Sequence, residues 1–447
     1  MNTYFDITWK ASKSLSVLIF CALGFAVEAQ TNSVSPYSRF GLGDTYHQLN
    51  AKQVGLGGAS IAAYDALNIN FLNPASFTDL ELTTFNVGFE GSFITQSQSN
   101  PSYSVENNRS GMRNLSVAVP LTEWWGAGVS LRPYSFKGYD ISSNRTSLND
   151  TTISITDRFS GDGGLNSIIW GNAFKVAEGL SLGINAQYVF GSIRENTIVD
   201  YNNESFFDTR LEEESQVRGI LFKAGAKYHY KLANNRFLAA GFNFQNGSSL
   251  QSENLSYQYT LSGINPVDTL TGGSTTEGEF QLGSEFGFGL SYGAKNEGAM
   301  QPSWGINVDY KSTNGADFRR PDGSGNLLNA YQFNLGSFIT PGQSFKNIER
   351  STNFFSQVEY RLGAYYEKMP FQLTGTDLFN YGITFGLGLP IKQRSQSPGE
   401  FKVSTVNIGV MAGRRGSLEN GLIQEEYLSF FLAVTFNDKW FIDYKYR

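Results

Sequence analysis

Residues 180–191 alternate without a break between apolar side chains and small or polar ones. Because a β-strand sends successive side chains to opposite faces, this segment is predicted to be a strand with one apolar face. The apolar face holds Leu180, Leu182, Ile184, Ala186, Tyr188 and Phe190, and the other face holds Ser181, Gly183, Asn185, Gln187, Val189 and Gly191. The pattern recurs along the chain, which predicts a transmembrane β-barrel with an apolar outside and a polar lumen.

The composition supports a barrel of this kind. Of the 447 residues, 48 are glycine, 15% are aromatic and only 17% are charged, and aromatic girdles are typical of outer-membrane barrels. A mean hydropathy of −0.27, with a single apolar run near the N-terminus, argues against a helical membrane protein. The formal net charge is −6 and no basic stripe is present, so nucleic acid is not an expected partner. A large secreted β-sandwich or propeller is the alternative fold.

Residues 1–29 have the pattern of a secretory signal peptide. Lys10 and Lys13 supply positive charge, residues 15–27 are apolar, and small residues precede a cleavage site after Ala29. Cleavage removes Cys21, the single cysteine of the sequence, so the mature chain has neither disulfides nor thiolate metal sites. We expect export to the outer membrane of a Gram-negative cell.

Residues 30–80 differ from the rest because they are rich in Gly, Ala, Asn and Ser and show no alternation. We interpret them as a hatch or plug segment that enters the barrel; a disordered periplasmic tail is the alternative. Residues 81–447 are assigned to the barrel, with about fourteen strands. The candidate strands lie near residues 82–96, 111–120, 124–139, 163–176, 179–199, 206–231, 236–260, 277–293, 300–312, 326–340, 353–369, 379–390, 401–414 and 425–437.

The connections between these strands alternate in length. Residues 120–123, 177–178 and 233–235 form short turns, whereas residues 140–162 and 262–277 form longer polar stretches. Outer-membrane barrels have short periplasmic turns and longer outer loops, so both termini are predicted on the periplasmic side. A turn near 341–352 is longer than this rule expects. The acidic residues 195–216 are interpreted as strands that project beyond the bilayer, with plain loop as the alternative.

Two motifs precede the first strand. The sequence GLGGAS at residues 55–60 contains Gly57 and Gly58, and NPAS at residues 73–76 contains Asn73 and Pro74. This arrangement resembles the outer-membrane long-chain fatty-acid and aromatic-hydrocarbon transporter family, the FadL-type barrels. The strand count agrees with that family, and the sequences at residues 413–416 and 437–441 resemble a divergent branch of it.

The resemblance implies a hatch inside a fourteen-stranded barrel through which a hydrophobic ligand diffuses. In that family the hatch shifts when ligand binds, and the ligand leaves sideways through a gap in the wall. Gly57, Gly58, Asn73 and Pro74 match the hatch motif. Asn73-Pro74 is equally compatible with a purely structural turn, because proline forces the preceding residue out of the helical region.

Alternation places several charged side chains in the lumen. Lys223, Lys227 and His229 lie opposite the apolar face of the sixth strand, and Glu359 and Arg361 lie opposite Val358, Tyr360 and Leu362, which are predicted to face lipid. A lysine or arginine facing lipid at the midplane costs about 2–4 kcal/mol, which supports this assignment. Lys223, Lys227 and Arg361 are the candidates to bind an anionic head group such as a carboxylate; a paired structural network is the alternative. Further inward positions are Arg132, Glu285, Asp309 and Lys311.

Signals of catalysis are poor. The sequence has two histidines, His47 and His229, and no Gly-x-Ser-x-Gly elbow accompanies them. The glycines at residues 55–60 lack the βαβ context of a dinucleotide loop. We therefore expect neither enzymatic activity, nor a cofactor, nor a metal site.

Two functions fit these observations. The first is an outer-membrane channel for passive uptake of small hydrophobic or amphipathic compounds, fatty-acid-like or aromatic. The second is a non-transporting barrel that acts as a scaffold or adaptor for a secretion or surface complex. Expected partners are outer-membrane lipid, a hydrophobic small molecule, the barrel-assembly machinery, which would engage the last strand, and in the second case a secretion or surface protein.

Overall fold

The computed structural model describes residues 35–46, 48–99, 101–147, 153–203, 205–263, 265–296, 299–325, 327–342, 353–394 and 401–440. The predicted signal peptide, the first residues of the predicted hatch and most of the long turn near 341–352 lie outside this set. No helix within it is long and apolar enough to cross a membrane.

Within the described residues, antiparallel strands form a closed barrel of fourteen, three of which consist of two consecutive segments. Strand β14 closes the ring by pairing with β1 along its whole length. Each observed strand corresponds to one predicted strand, so the predicted fold class is confirmed. The strands are β1 (Thr83–Ser99), β2 (Ser102–Thr122), β3 (Trp125–Phe136, continued by Tyr139–Thr146), β4 (Ser154–Ala177), β5 (Leu180–Asp200), β6 (Asp208–Lys231), β7 (Arg236–Gln245, continued by Ser249–Ser262), β8 (Asn265–Gln281, continued by Glu285–Ala294), β9 (Trp304–Thr313), β10 (Ala330–Ile339), β11 (Glu359–Leu373), β12 (Thr376–Arg394), β13 (Phe401–Gly416) and β14 (Ile423–Asp438).

Alternation assigns the two faces of the wall correctly. On β5, Leu182 and Ile184 are exposed on the outside, whereas Asn185 and Gln187 are buried inside. The predicted outward position of Val358 is wrong: this residue is buried. It precedes β11 and caps a short 3-10 turn, Phe354–Gln357, so the strand alternation does not yet apply to it.

The predicted long loops at 140–162 and 262–277 are largely strand. Tyr139–Thr146 pairs with the outer part of β4, and Asn265–Gln281 pairs with Ser249–Ser262. These polar strands have no apolar face because they extend past the apolar part of the outer wall, so the alternation that reveals the other strands is lost. Within the acidic stretch 195–216, residues 195–200 and 208–216 form paired strands in β5 and β6, as predicted.

Wall height is uneven around the ring. Strands β3 to β8 continue far past the level at which β9 ends, at Thr313, and β10 begins, at Ala330. The extensions form a six-stranded sheet in the order β3, β4, β5, β6, β7, β8, and we call it the projecting sheet.

Residues 35–80, the N-terminal segment, lie inside the ring. They contain a one-turn helix α1 (Ala51–Gly55), two 3-10 turns (Pro36–Arg39 and Pro74–Asp79) and a two-residue strand, Asp44–Thr45. Their apolar side chains pack on inward residues of the barrel, for example Ile69, Phe71 and Phe77 on Ala118, Ile169 and Ala173. The segment and the wall therefore contribute side chains to the same hydrophobic core.

Candidate lumen site

A row of inward-facing glycines on eight strands receives the N-terminal segment. At each of them an added Cβ would lie closer to another buried atom than real side chains allow, and an atom of the N-terminal segment is among those it would meet. The backbone of the segment thus approaches the wall at a distance that a larger residue would prevent. We call these residues the glycine belt: Gly126, Gly171, Gly183, Gly225, Gly241, Gly287, Gly336 and Gly363.

The predicted motif residues Gly57 and Gly58 end the turn that follows α1. Both have left-handed backbone conformations, with φ of 63° and 82°, which glycine adopts without strain. The Gly57 N–H donates to Thr384 Oγ1 (2.9 Å), and Asn334 Nδ2 donates to the Gly57 carbonyl (2.5 Å). The backbone of Gly57 therefore fixes the segment to β10 and β12.

Asn73 and Pro74 begin the second 3-10 turn and rest on the glycine belt at Gly183 and Gly225. Asn73 Oδ1 accepts from the Ala75 N–H (3.1 Å). Asn73 Nδ2 donates to the carbonyls of Ile61 (2.8 Å) and Ala226 (3.1 Å). One fully buried amide thus joins two parts of the segment to β6, which supports the structural interpretation of the motif.

Two of the three predicted head-group residues hold the N-terminal segment. Lys227 forms an ion pair with Asp79 and donates to the Ala63 carbonyl (2.7 Å). Arg361 Nε donates to Glu359 Oε1 (2.6 Å), and Glu359 Oε2 also binds Lys52 Nζ of α1 (3.2 Å). Neither residue lines the large cavity of the lumen.

A cavity of 420 Å³ is lined by the N-terminal segment, including residues 40–46, and by inward residues of the barrel wall. Its apolar lining includes Leu49, Val54, Leu72 and Phe431. The third predicted residue, Lys223, lines it from β6. The barrel wall thus supplies most of the lining, and the N-terminal segment supplies the rest.

One side of the cavity is a network of paired charges. Tyr46 donates to Glu90 Oε1 (2.6 Å), and Glu90 also pairs with Arg109 and Arg113. Burial raises the pKa of the Tyr46 hydroxyl well above its ordinary value, so the hydroxyl stays protonated and donates. Arg415 makes two 3.1 Å contacts to Asp44. These pairs bind residues 44–46 to β1, β2 and β13.

The lining also carries three cations that form no salt bridge within the described part of the chain, together with the carboxylates of Glu285 and Glu367. Lys223 Nζ donates to Gln48 Oε1 (3.3 Å), and Arg132 Nε donates to Ser130 Oγ (3.2 Å). Lys311 Nζ is buried without a hydrogen-bond partner. All three side chains line the cavity. An unpaired buried ammonium is costly, and an anionic ligand at this place would compensate it.

The wall has a gap beside this cavity. Among the described residues, β2 pairs with β3 only between the pair Leu115–Leu131 and the turn that joins the two strands. Beyond this point the edge of β3 pairs with the N-terminal segment: Asp44 lies opposite Phe136, and Thr45 lies opposite Ser135. Residues 44–45 thus occupy the place that β2 vacates.

Sequence reasoning found some of this site. It placed Arg132, Lys223 and Lys311 in the lumen but selected Lys223 alone for binding. It missed Asp44, Tyr46 and Gln48, which come from a segment without periodicity. The sequence contains no pattern that reports their contacts, because these join residues that are far apart along the chain.

Solved structures confirm the fold. The chain is similar to a FadL homologue from Pseudomonas aeruginosa, with 12% identity, 88% of this chain and 99% of that chain covered, and a TM-score of 0.56. It is also similar to the toluene transporter TodX of P. putida (13% identity, 89% and 99% covered, TM-score 0.50). The toluene transporter TbuX of Ralstonia pickettii gives 12% identity, 87% and 98% covered, and a TM-score of 0.50. The search of curated proteins finds no match.

The closed ring of fourteen strands and these similarities define a β-barrel with the fold of the FadL-type outer-membrane channels. A family model described as BamG matches residues 12–447. The chain belongs to the BamG family. The identities of 12–13% agree with the divergent position that the motifs indicate.

Proposed function

We propose that this protein is an outer-membrane channel for passive uptake of small hydrophobic or amphipathic compounds. The observation that carries the proposal is the cavity of 420 Å³, which combines an apolar lining with the unpaired cations Arg132, Lys223 and Lys311. An apolar pocket with a few convergent polar groups is the usual form of a small-molecule site. The ligand class is an amphiphile whose carboxylate binds Lys223 and Lys311 and whose apolar part contacts Leu49, Leu72 and Phe431.

The gap between β2 and β3 is the proposed sideways exit from this cavity. It opens on the outer wall, where lipid would accept an apolar compound, so the ligand need not cross the glycine belt. Residues 44–45 cover the gap by pairing with β3, and a shift of this short strand would uncover it. The ladder with β3 is only two residue pairs long, and the shift would also have to break the Arg415–Asp44 and Tyr46–Glu90 contacts.

Uptake measurements test the proposal. Cells that lack their own fatty-acid channel would express the chain or the variant Lys223→Met/Lys311→Met, and uptake of radiolabelled laurate and of neutral toluene would be followed. We expect the wild type to accelerate both, and the variant to lose about tenfold or more for laurate alone, because a charge-assisted hydrogen bond contributes about 1.5–3 kcal/mol.

Lys231→Met is the matched control, since Lys231 is exposed at the opposite end of β6 and lies outside the cavity. Wild-type cells that take up neither compound faster than cells without the protein would contradict the channel function. Equal loss for laurate and toluene would contradict the head-group role of the two lysines.

Membrane placement follows from the same proposal. The signal peptide of residues 1–29 would direct export, with cleavage after Ala29, and the exposed apolar side chains of the wall would contact outer-membrane lipid. The barrel-assembly machinery would engage β14, whose outward face carries the exposed residues Leu428, Phe430 and Phe436.

A scaffold or adaptor in a secretion or surface complex is the second candidate. The glycine belt favours it, because a lumen filled along eight strands resembles a permanent closure more than a gate. A stoichiometric partner that copurifies with the protein, together with unchanged uptake, would favour this function over the channel.

A further inference from the structure

The projecting sheet ends in a strand edge that is unpaired within the described residues. The outer half of β8, Asn265–Gln281, pairs with β7 on one side only. On its other side the described chain offers one isolated bridge, Gln281 opposite Arg319, at the base of the edge, and Pro321 of the same loop lies against Gly278. Nearly all residues from Asn265 to Glu277 are exposed. We propose that this edge binds an extended, cationic segment of a partner protein as an additional β-strand.

The edge is regular where a partner strand would bind. From Ser274 to Gln281 every residue lies opposite one residue of β7, without a register shift. The shifts lie farther out, beyond Ser256 of β7, where they interrupt the ladder. Proteins usually protect free edges with such irregularities or with lysines. Residues 274–280 have neither, so a ready-made template for pairing remains above the bridge at Gln281.

Charge selects the occupant. Glu277 and Glu279 face outward on the edge, and Glu253 lies directly opposite Glu277 on β7. Like charges directly opposite each other are unfavourable in a ladder. A groove of 720 Å³ on this face is lined by the same three carboxylates, by Arg218 and by Glu214 of β6, which is paired with Arg194 (3.3 Å). A lysine or arginine on an added strand would reach this groove and neutralise the repulsion.

The same charges argue against a second copy of this chain as the occupant. Pairing two such edges would bring Glu277 and Glu279 of both copies together without a cation between them. Residues 265–281 contain no lysine or arginine. The other free edge of the projecting sheet, Tyr139–Thr146, carries Arg145 in an ion pair with Asp157 and thus lacks an unbalanced acidic face.

Peptide binding to the purified full-length protein in uncharged detergent tests the inference. The probe is a synthetic peptide of alternating threonine and lysine with blocked ends. Its controls are a threonine–glutamate peptide and the lysine peptide N-methylated on alternate amides, which keeps the charge but cannot pair with an edge. Fluorescence anisotropy measures binding, and hydrogen exchange locates it, with the edge Tyr139–Thr146 as an internal reference.

We expect the lysine peptide alone to bind and to slow amide exchange at residues 274–280, and Glu277→Lys/Glu279→Lys to weaken binding about tenfold or more. The heat-dependent electrophoretic mobility of this variant verifies that its barrel is folded. Equal binding of the N-methylated peptide would overturn strand addition and reduce the interaction to charge alone. No binding, or protection confined to other residues, would overturn the inference. Peptide binding does not depend on uptake, so its result decides the inference separately from the channel function.

Discussion

At Gly363 and Gly225 the backbone of the N-terminal segment lies directly against the wall. A Cβ at Gly363 would overlap the backbone at Gly57, and a Cβ at Gly225 would overlap the side chain of Asn73. Because such neighbours are backbone or fully packed groups, they have no room to move aside. The glycines are thus a steric requirement of the segment, whereas the strands would tolerate larger residues.

We predict that Gly363→Ala destabilises the protein by about 1–3 kcal/mol through overpacking. Gly111→Ala is the matched control, since Gly111 also lies in a strand and an added Cβ there meets nothing within 4 Å. The midpoint of the heat-dependent change in electrophoretic mobility measures both variants. Equal midpoints for the two variants would show that the N-terminal segment is not tightly packed against the wall at Gly363.

Strand β3 is the element on which the site depends. Its lower half pairs with β2, whereas its upper half pairs with residues 44–45. The segment is fixed at the other side of the lumen by Arg415, which binds both carboxylate oxygens of Asp44. One residue thus connects the cover of the wall gap to β13 across the cavity.

We predict that a disulfide between Thr45→Cys and Ser135→Cys abolishes sideways uptake until it is reduced. The two positions lie opposite each other, and the mature chain would contain no other cysteine. Ser97→Cys/Ser104→Cys is the control, because it joins opposite residues of β1 and β2 away from the gap. Laurate uptake before and after dithiothreitol is the measurement; uptake that persists in the oxidised Thr45/Ser135 variant would contradict the gap as an exit.

The sequence predicts elements better than it predicts contacts. Alternation identifies all fourteen strands and their inward faces, because the outward face of each strand must contact an apolar environment. It fails for Val358, which lies just outside a strand, and for residues 139–146, where both faces are polar. It places Lys227 and Arg361 in the lumen, but it does not predict their ion pairs with Asp79 and Glu359. Whether such a cation binds a ligand or a carboxylate of the protein depends on where the N-terminal segment packs.

The whole molecule is asymmetric along its axis. Strands β3 to β8 form the projecting sheet, whereas β9 and β10 stop near the cavity. Short turns such as residues 233–235 lie at the opposite end. If the short turns are periplasmic, as in other outer-membrane barrels, the projecting sheet and its free edge stand outside the cell.

We predict that Ser262→Cys, at the tip of the projecting sheet, reacts with a membrane-impermeant maleimide on intact cells. Ala233→Cys, in a short turn, would react only after the outer membrane is permeabilised. Both positions are exposed, so a difference reports sidedness rather than burial. The opposite labelling pattern would invert the orientation and place the free edge in the periplasm.

The glycine belt also has a consequence for the order of assembly. Residues 35–80 leave the ribosome before any strand, and the ring is complete only when β14 meets β1. In the closed barrel the N-terminal segment contacts the inner wall on eight strands. The segment therefore could not enter the lumen after the barrel has closed. We therefore expect the barrel strands to assemble around the N-terminal segment. Closure of the barrel and packing of the segment inside it would then occur in a single step.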